Sequence, residues 1–205
     1  MGCERVGSFL CAQCLAEATV PPERECEGLD GVCSAAEYDG AIGEAIRALK
    51  YDNQTRVAEP LAALLARAVR RTGWPIDLIV PVPLHAARLL DRGYNQAKIV
   101  SLHLARALDV PCNPSAARRV RDTPSQVNLN ARERHLNVKG AFESDAEAVR
   151  GRAALVVDAV LTTGAPLAAC ADALRLAGAT AGFGATVAGA VLPPDAAASA
   201  TRSPV

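Results

Sequence analysis

Short apolar runs alternate along the chain with longer stretches in which apolar residues recur every three or four positions. The runs predict buried strands at residues 76–83 and 153–157, and further strands around 116–120 and 183–192. The longer stretches predict helices at 38–51, 60–72, 95–108 and 166–177. Because strands and helices alternate, we expect a doubly wound α/β domain with a mainly parallel sheet.

One stretch places a strand, a polar turn and a helix in succession. Asp158 ends the apolar run, Thr162, Thr163 and Gly164 follow, and Pro166 opens the helical pattern. The backbone N–H groups of such a turn and the positive end of the helix dipole attract an anion such as phosphate. A carboxylate at the end of the strand instead accepts hydrogen bonds from the hydroxyls of a sugar. The alternative is an ordinary strand–turn–helix with a threonine cap and an early proline.

Basic residues gather after the strand predicted at 76–83. His85, Arg88 and Arg92 precede the helix that begins near Asn95. Arginines beside a helix N-terminus suit a pyrophosphate, and cationic side chains on a solvated turn are the alternative.

Three polar loops are expected to meet at one edge of the sheet, because the carboxyl ends of parallel strands share that edge. These are the loops after Val82, Val120 and Asp158. Residues 118–139 carry six bases and two acids with little apolar periodicity. We expect most of this segment to be a mobile basic loop or a short helix.

Five of the seven cysteines fall within the first 33 residues. Cys11 and Cys14 have the CxxC spacing of a zinc knuckle, and Cys26 and Cys33 would complete a tetrahedral thiolate site. Cys3 is a candidate to replace one of these four ligands. In a reducing compartment, bound zinc explains this spacing better than disulfides do. A degenerate ribbon without metal is the alternative.

Composition and charge narrow the class of protein. The chain has 205 residues, half of them hydrophobic, which is enough for one well-buried domain and a small appendage. Net charge is zero, yet residues 45–139 carry sixteen bases and seven acids. This excess of positive charge favours binding of a polyphosphate or a nucleic acid. A solvated basic surface is the alternative. No apolar run reaches the ~18 residues of a membrane span, and the N-terminus lacks a signal-peptide profile. We therefore expect a cytoplasmic protein without membrane insertion.

The stretch VVDAVLTTGAP resembles the phosphoribosyl-pyrophosphate (PRPP) binding motif of type I phosphoribosyltransferases. Ala159 replaces the second acidic residue of that motif, and Pro166 replaces its closing threonine. Further segments resemble the ComF family, in which an N-terminal cysteine knuckle is fused to a type I phosphoribosyltransferase domain. These segments are Cys11-x-x-Cys14, Tyr38-Asp-Gly, Lys50-Tyr51, Val80-Pro-Val-Pro83, Arg92-Gly-Tyr-Asn-Gln96, Arg119-x-Arg121-x-Thr123-x-Ser-Gln126, Arg132-x-x-x-x-Asn137 and Ala141-Phe142.

The resemblance implies a zinc-ribbon-like cysteine module at residues 1–37, a phosphoribosyltransferase-like domain at 38–192 and a disordered tail at 193–205. It also implies that the domain binds PRPP with Mg²⁺. The residues implied for this ligand are Asp158 for the ribose hydroxyls, Thr162, Thr163, Gly164 and Ala165 for the 5′-phosphate, and Leu84, His85, Arg88 and Arg92 for the pyrophosphate. The residues implied in catalysis are Asp158, Arg88 and Arg121.

Three functions are compatible with these features. The first is transfer of the phosphoribosyl group from PRPP to an unidentified nucleophile, with release of pyrophosphate. The second is PRPP binding with weak or no transfer, in DNA uptake and alongside competence proteins, with which relatives are linked. Ala159 and Pro166 favour the second because each removes a group that would bind the ligand. The third is direct binding of single-stranded DNA through the basic middle of the chain.

Overall fold

The computed structural model describes residues 10–121 and 140–190. The main sheet of these residues has four parallel strands, β1 (Gly31–Glu37), β2 (Leu78–Pro81), β5 (Ala153–Leu161) and β6 (Ala181–Gly189). Their order in the sheet is β1-β6-β5-β2. A second sheet has two antiparallel strands, β3 (Ala117–Arg119) and β4 (Phe142–Ser144).

Helices connect the strands. The longer ones are α2 (Gly40–Tyr51), α3 (Ala58–Thr72), α5 (Gln96–Leu108) and α7 (Ala165–Leu176). The shorter ones are α1 (Ala12–Ala16), α4 (Ala86–Arg92) and α6 (Ala146–Val149). Among the helices of the described residues, none is long and apolar enough to cross a membrane.

Strand β5 is central, because it pairs with β6 on one side and with β2 on the other. Leu155 and Val157 belong to the core that includes α2, α3 and α5, whereas Ala154 and Val156 belong to the core that includes α7. A parallel strand buried on both faces has a continuous apolar sequence, as this one does. The predicted α/β class, with a mainly parallel sheet and helices on both faces, is confirmed.

The central strand is longer than predicted. It ends at Leu161, so Asp158 lies within the strand, in register with Thr186 of β6. The apolar pattern stops at Asp158 because a charged side chain interrupts it, but backbone pairing continues past that residue. The prediction that Asp158 ends the strand was therefore wrong.

Two predictions for the basic segments were also wrong. The strand near 116–120 is β3, which pairs with β4 and takes no part in the main sheet. At the edge of the main sheet, Ile79 of β2 instead forms an isolated parallel bridge with Cys112. The segment between the end of β2 and α5 contains the short helix α4 rather than an open loop.

Strand β1 lies inside the predicted cysteine module but is an edge strand of the main sheet. The N–H of Glu37, at its end, donates to the carbonyl of Thr19 at 2.7 Å. Leu10 is buried in the core that includes α2 and α3. The described part of the N-terminal segment therefore packs onto the main domain. The predicted tail at 193–205 lies outside the described residues.

Leu155→Ala is expected to lower the free energy of unfolding by about 2–5 kcal/mol, the range for truncating a fully buried leucine. Leu155 is completely buried on the central strand. The matched control is Leu176→Ala, because Leu176 is 91% exposed and its truncation should cost less than ~0.5 kcal/mol. Urea denaturation followed by circular dichroism measures both, and equal losses would contradict the central position of β5.

Candidate functional site

A cleft lies at the carboxyl edge of the main sheet. Four of its lining residues, Tyr38, Val82, Thr162 and Ala190, each directly follow one of the four strands. The volume of the cleft is about 510 Å³. Open α/β sheets bind ligands at this edge, because the loops that leave the strands converge there.

The turn between β5 and α7 forms one part of this cleft. Gly164 has a φ of +77°, a left-handed conformation that favours glycine. A Cβ atom at this position would lie 2.6 Å from the sulfur of Cys26, so the turn has no room for a side chain. The N–H of Ala165, the first residue of α7, donates to the Thr163 hydroxyl at 3.4 Å. The turn is therefore held in the conformation that brings Thr162 and Gly164 to the cleft.

The two departures from the PRPP motif have different structural positions. Pro166 lines the cleft in the first turn of α7, where it removes one N–H donor. Ala159 is completely buried in the core that includes α2, α3 and α5. The side chain at position 159 therefore does not line the cleft.

Helix α4 supplies basic residues to the cleft. His85 caps this helix, because its Nδ1 accepts a hydrogen bond from a backbone N–H of the first turn at 3.3 Å. Arg88 and Arg92 line the cleft. Asn95 ties the following helix to the end of β2, since its Nδ2 donates to the Val82 carbonyl at 2.9 Å and its Oδ1 accepts from the first N–H groups of α5.

The guanidinium of Arg92 is held by two neighbours. Its Nη1 donates to Oε1 of the buried Gln96, and its carbon atom lies 5.5 Å from the centre of the Tyr51 ring. Such a cation–π contact adds to the hydrogen bond in restricting the side chain. Arg92 is therefore positioned before any ligand binds.

The carboxylate of Asp158 lies in the cleft among cations. Burial raises the pKa of Asp158, while Lys50, the Ala159 N–H at 2.6 Å and Arg92 act in the opposite direction. Burial likewise lowers the pKa of Lys50, and Asp158 opposes that shift. The carboxylate and the ammonium therefore stabilise each other's charged forms in a partly buried site.

Six predicted ligand residues line this cleft, namely Leu84, Arg88, Arg92, Asp158, Thr162 and Gly164. Thr163, Ala165 and His85 lie in the adjoining turns but do not line it. Arg121 does not line it either; its carbonyl accepts a hydrogen bond from Nε of Arg119, which does. The predicted loop residues Thr123, Ser125, Gln126, Arg132 and Asn137 lie outside the described residues.

Lys50 was missed as a site residue. It lies in the last turn of α2, whose apolar residues Ile42, Ile46 and Leu49 are buried. The helical pattern alone placed Lys50 away from the core, and only the Lys50-Tyr51 pair among the family-like segments pointed to it. Tyr38, Tyr51, Gln96 and Arg119 line the same cleft. All four belong to the family-like segments, but none of them was predicted as a site residue.

Curated proteins with related sequences carry names from DNA uptake and use. The chain is 40% identical over 157 residues to Competence protein F of Haemophilus influenzae, which covers 73% of this chain and 68% of that protein. It is 34% identical over 177 residues to DNA utilization protein YhgH of Salmonella typhi, which covers 84% of this chain and 74% of that protein. The chain belongs to the ComF family. The resemblance drawn from the motifs is thereby confirmed, although no family model matches the chain.

Two solved structures are similar to this ComF-family protein. One is glutamine PRPP amidotransferase from B. subtilis complexed with ADP and GMP, with a TM-score of 0.42 and 16% identity, covering 62% of this chain and 25% of that chain. The other is described as the allosteric regulatory enzyme of purine biosynthesis, with a TM-score of 0.40 and 20% identity, covering 67% of this chain and 26% of that chain.

The four cysteines predicted to bind zinc are not gathered in this ComF-family protein. The sulfurs of Cys11 and Cys14 are 3.7 Å apart, close to the ~3.8 Å between two sulfurs on one tetrahedral zinc ion. Cys26 instead packs against the β5–α7 turn, and Cys33 lies in β1, where burial raises its pKa to about 12. No group of three or more His, Cys, Asp and Glu side chains in the described part of the chain could hold a metal ion. The described residues therefore do not form the predicted four-cysteine site, and Cys3 lies outside them.

Magnesium prefers several oxygen ligands in octahedral geometry. The described residues that line the cleft include one carboxylate, that of Asp158, and Lys50 and Arg92 act on it electrostatically. Position 159 supplies no side-chain oxygen, because its residue is an alanine, and that alanine is buried in the core. These residues therefore do not fit a Mg²⁺ ion held by the protein itself.

Gly164→Ala is expected to destabilise this ComF-family protein more than Gly73→Ala. Both glycines have positive φ, +77° and +67°, so both variants carry a backbone strain of about 1–2 kcal/mol. A Cβ atom at Gly73 has no neighbour within 4 Å, whereas one at Gly164 meets Cys26. Thermal unfolding measures the difference, which should shrink in a Cys26→Ala background. If both variants unfold alike in both backgrounds, Cys26 does not constrain the turn.

Asp158→Asn is expected to stabilise the folded protein at neutral pH. Burial raises the pKa of Asp158, so the protonated carboxyl contributes stability that is present below the unfolded-state pKa of about 3.9 and is lost as pH rises through the higher folded-state pKa. The advantage of the variant should therefore grow as pH rises from acid to neutral. Urea denaturation across this range measures it.

The control for that series is Asp91→Asn, which removes an exposed carboxylate outside the cleft and should change stability by less than ~0.5 kcal/mol. Destabilisation by Asp158→Asn at neutral pH would show that Lys50 and Arg92 outweigh the effect of burial.

Proposed function

We propose that this ComF-family protein binds PRPP in the cleft and transfers its phosphoribosyl group to a nucleophile. The observation that carries the proposal is that Gly164, Asp158 and Arg88 share one cleft at the carboxyl edge of the sheet. PRPP joins a phosphate, two ribose hydroxyls and a pyrophosphate in one molecule. Gly164 belongs to a turn whose backbone N–H groups suit the phosphate. The carboxylate of Asp158 accepts hydrogen bonds from the ribose hydroxyls, and the cation Arg88 suits the pyrophosphate.

In this proposal the 5′-phosphate binds at the β5–α7 turn, where Thr162 adds a hydroxyl donor and the helix dipole favours an anion. Pro166 leaves the site one N–H short, which weakens binding by about 1 kcal/mol. The ribose hydroxyls donate to Asp158. The pyrophosphate binds Arg88 and Arg92, since planar guanidinium groups pair with phosphate oxygens through two parallel hydrogen bonds.

The transfer breaks the bond between C1 of the ribose and the pyrophosphate oxygen and forms a bond between C1 and the nucleophile. The electron pair of the broken bond leaves with the pyrophosphate, whose added negative charge the arginines stabilise. Positive charge develops on the ribose, and the carboxylate of Asp158 favours it electrostatically. No further carboxylate and no histidine lines the described part of the cleft, so the proposal includes no general base from these residues, and the proton that the nucleophile loses passes to water.

Binding without transfer is the second candidate function. The relatives are named for competence and for DNA utilization, and not for a transferase. The missing N–H donor at Pro166 also favours a binding role over efficient turnover. In this second candidate function the protein binds PRPP without transferring its phosphoribosyl group. It acts in DNA uptake, with competence proteins and single-stranded DNA as its partners.

Isothermal titration with PRPP and Mg²⁺ tests both candidates. We expect binding by the natural sequence and an affinity lower by about 10–150-fold for Asp158→Asn and for Thr162→Val, which corresponds to removal of one hydrogen bond to a charged group. The matched control is Thr180→Val, because Thr180 is exposed and directly precedes β6, at the opposite edge of the sheet. This control should bind PRPP as the natural sequence does.

Pyrophosphate release, measured with ammonia and a panel of nucleobases as acceptors, separates the two candidates. Binding with release supports the transferase, and binding without release supports the binding module. If PRPP produces neither heat nor a shift in the unfolding temperature, both are wrong.

A further inference from the structure

The described residues around the cleft are strongly basic, although the whole chain has no net charge. Lys50, Arg88, Arg92 and Arg119 line the cleft, against the single carboxylate of Asp158. These cations come from three separate elements, α2, α4 and β3. Like charges brought together repel one another, and a bound polyanion relieves that repulsion. Their convergence therefore favours a ligand with several negative charges.

Several of these cations are held in position by the protein. Gln96 and Tyr51 restrain Arg92. The guanidinium of Arg119 lies over the Phe142 ring, 5.6 Å from its centre. Lys50 is partly buried in the last turn of α2, a helix fixed by its buried face. Side chains that are already ordered lose little conformational entropy when a ligand binds, so direct contact with the protein is favourable.

A divalent ion has little to bind to in the same cleft. Mg²⁺ is attracted by clustered carboxylate oxygens, and here Lys50 and Arg92 already supply positive charge close to Asp158. The ammonium and guanidinium groups place in the cleft the positive charge that a metal ion would otherwise supply to a pyrophosphate.

We propose that Lys50, Arg88 and Arg92 bind the pyrophosphate end of the ligand directly and that this binding does not require a divalent metal ion. The inference rests on the proposed function for the identity of the ligand. It deepens that function by assigning the neutralisation of the pyrophosphate to side chains of the protein, Lys50 among them.

The test compares PRPP titrations in two buffers, one with saturating MgCl₂ and one freed of divalent ions by a chelating resin. The dissociation constants should agree within about threefold, because the side-chain cations are present in both buffers. Lys50→Gln should weaken binding about tenfold in both, the order expected for one charge-assisted contact. Arg47→Gln is the matched control, since Arg47 is exposed on the same helix and does not line the cleft. Thermal unfolding without ligand checks that every variant is folded in each buffer.

Binding that appears only with MgCl₂, or that MgCl₂ strengthens by more than about threefold, overturns the metal-independent site and leaves the proposed function standing. If Lys50→Gln and Arg47→Gln weaken binding equally, the role of Lys50 is wrong, and the proposed function again stands. If PRPP binds in neither buffer, the proposed function fails. Inorganic pyrophosphate then decides the inference, which stands if pyrophosphate binds in the metal-free buffer and Lys50→Gln weakens it, and falls otherwise.

Discussion

The four strands of the main sheet run parallel and end at the same edge, and this alignment positions the residues that form the cleft. Because β5 is paired on both sides, the residues that leave it cannot shift along the sheet without breaking two ladders at once. The turn after β5 is therefore held next to the residues that leave β1, β2 and β6. The cleft is a consequence of this shared edge, since each strand contributes its first following residue to the lining.

The charged residues of the cleft lower the stability of the folded protein, whereas its apolar core raises that stability. A carboxylate is partly buried at Asp158, and several cations surround the cleft, so the unliganded protein carries both desolvation and repulsion there. The apolar layers on both faces of the sheet offset these costs, because they bury nearly every side chain of β5. Such an arrangement is typical of a binding site whose ligand supplies the missing charge.

The N-terminal segment supports the cleft rather than forming a module of its own in the described residues. Cys26 fills the space beside Gly164, and Nη1 of Arg24 donates to the Thr162 carbonyl at 3.4 Å. These contacts join the cysteine-rich segment to the turn that we assign to the phosphate. A change in the segment would therefore alter the turn that lines the cleft.

Elements with local signals could be predicted from the amino-acid sequence. The apolar run of β5, the helix at 96–108 and the turn around Gly164 follow from spacing and from the backbone demands of neighbouring residues, and Asp158, Thr162 and Arg88 were found from the same signals. Only the folded structure shows that β1 joins the main sheet, that β3 pairs outside it, that Cys26 packs beside Gly164 and that Lys50 and Asp158 line the same cleft. These outcomes depend on contacts between residues far apart in the chain, and periodicity reports which face of an element is buried but not which partner covers it.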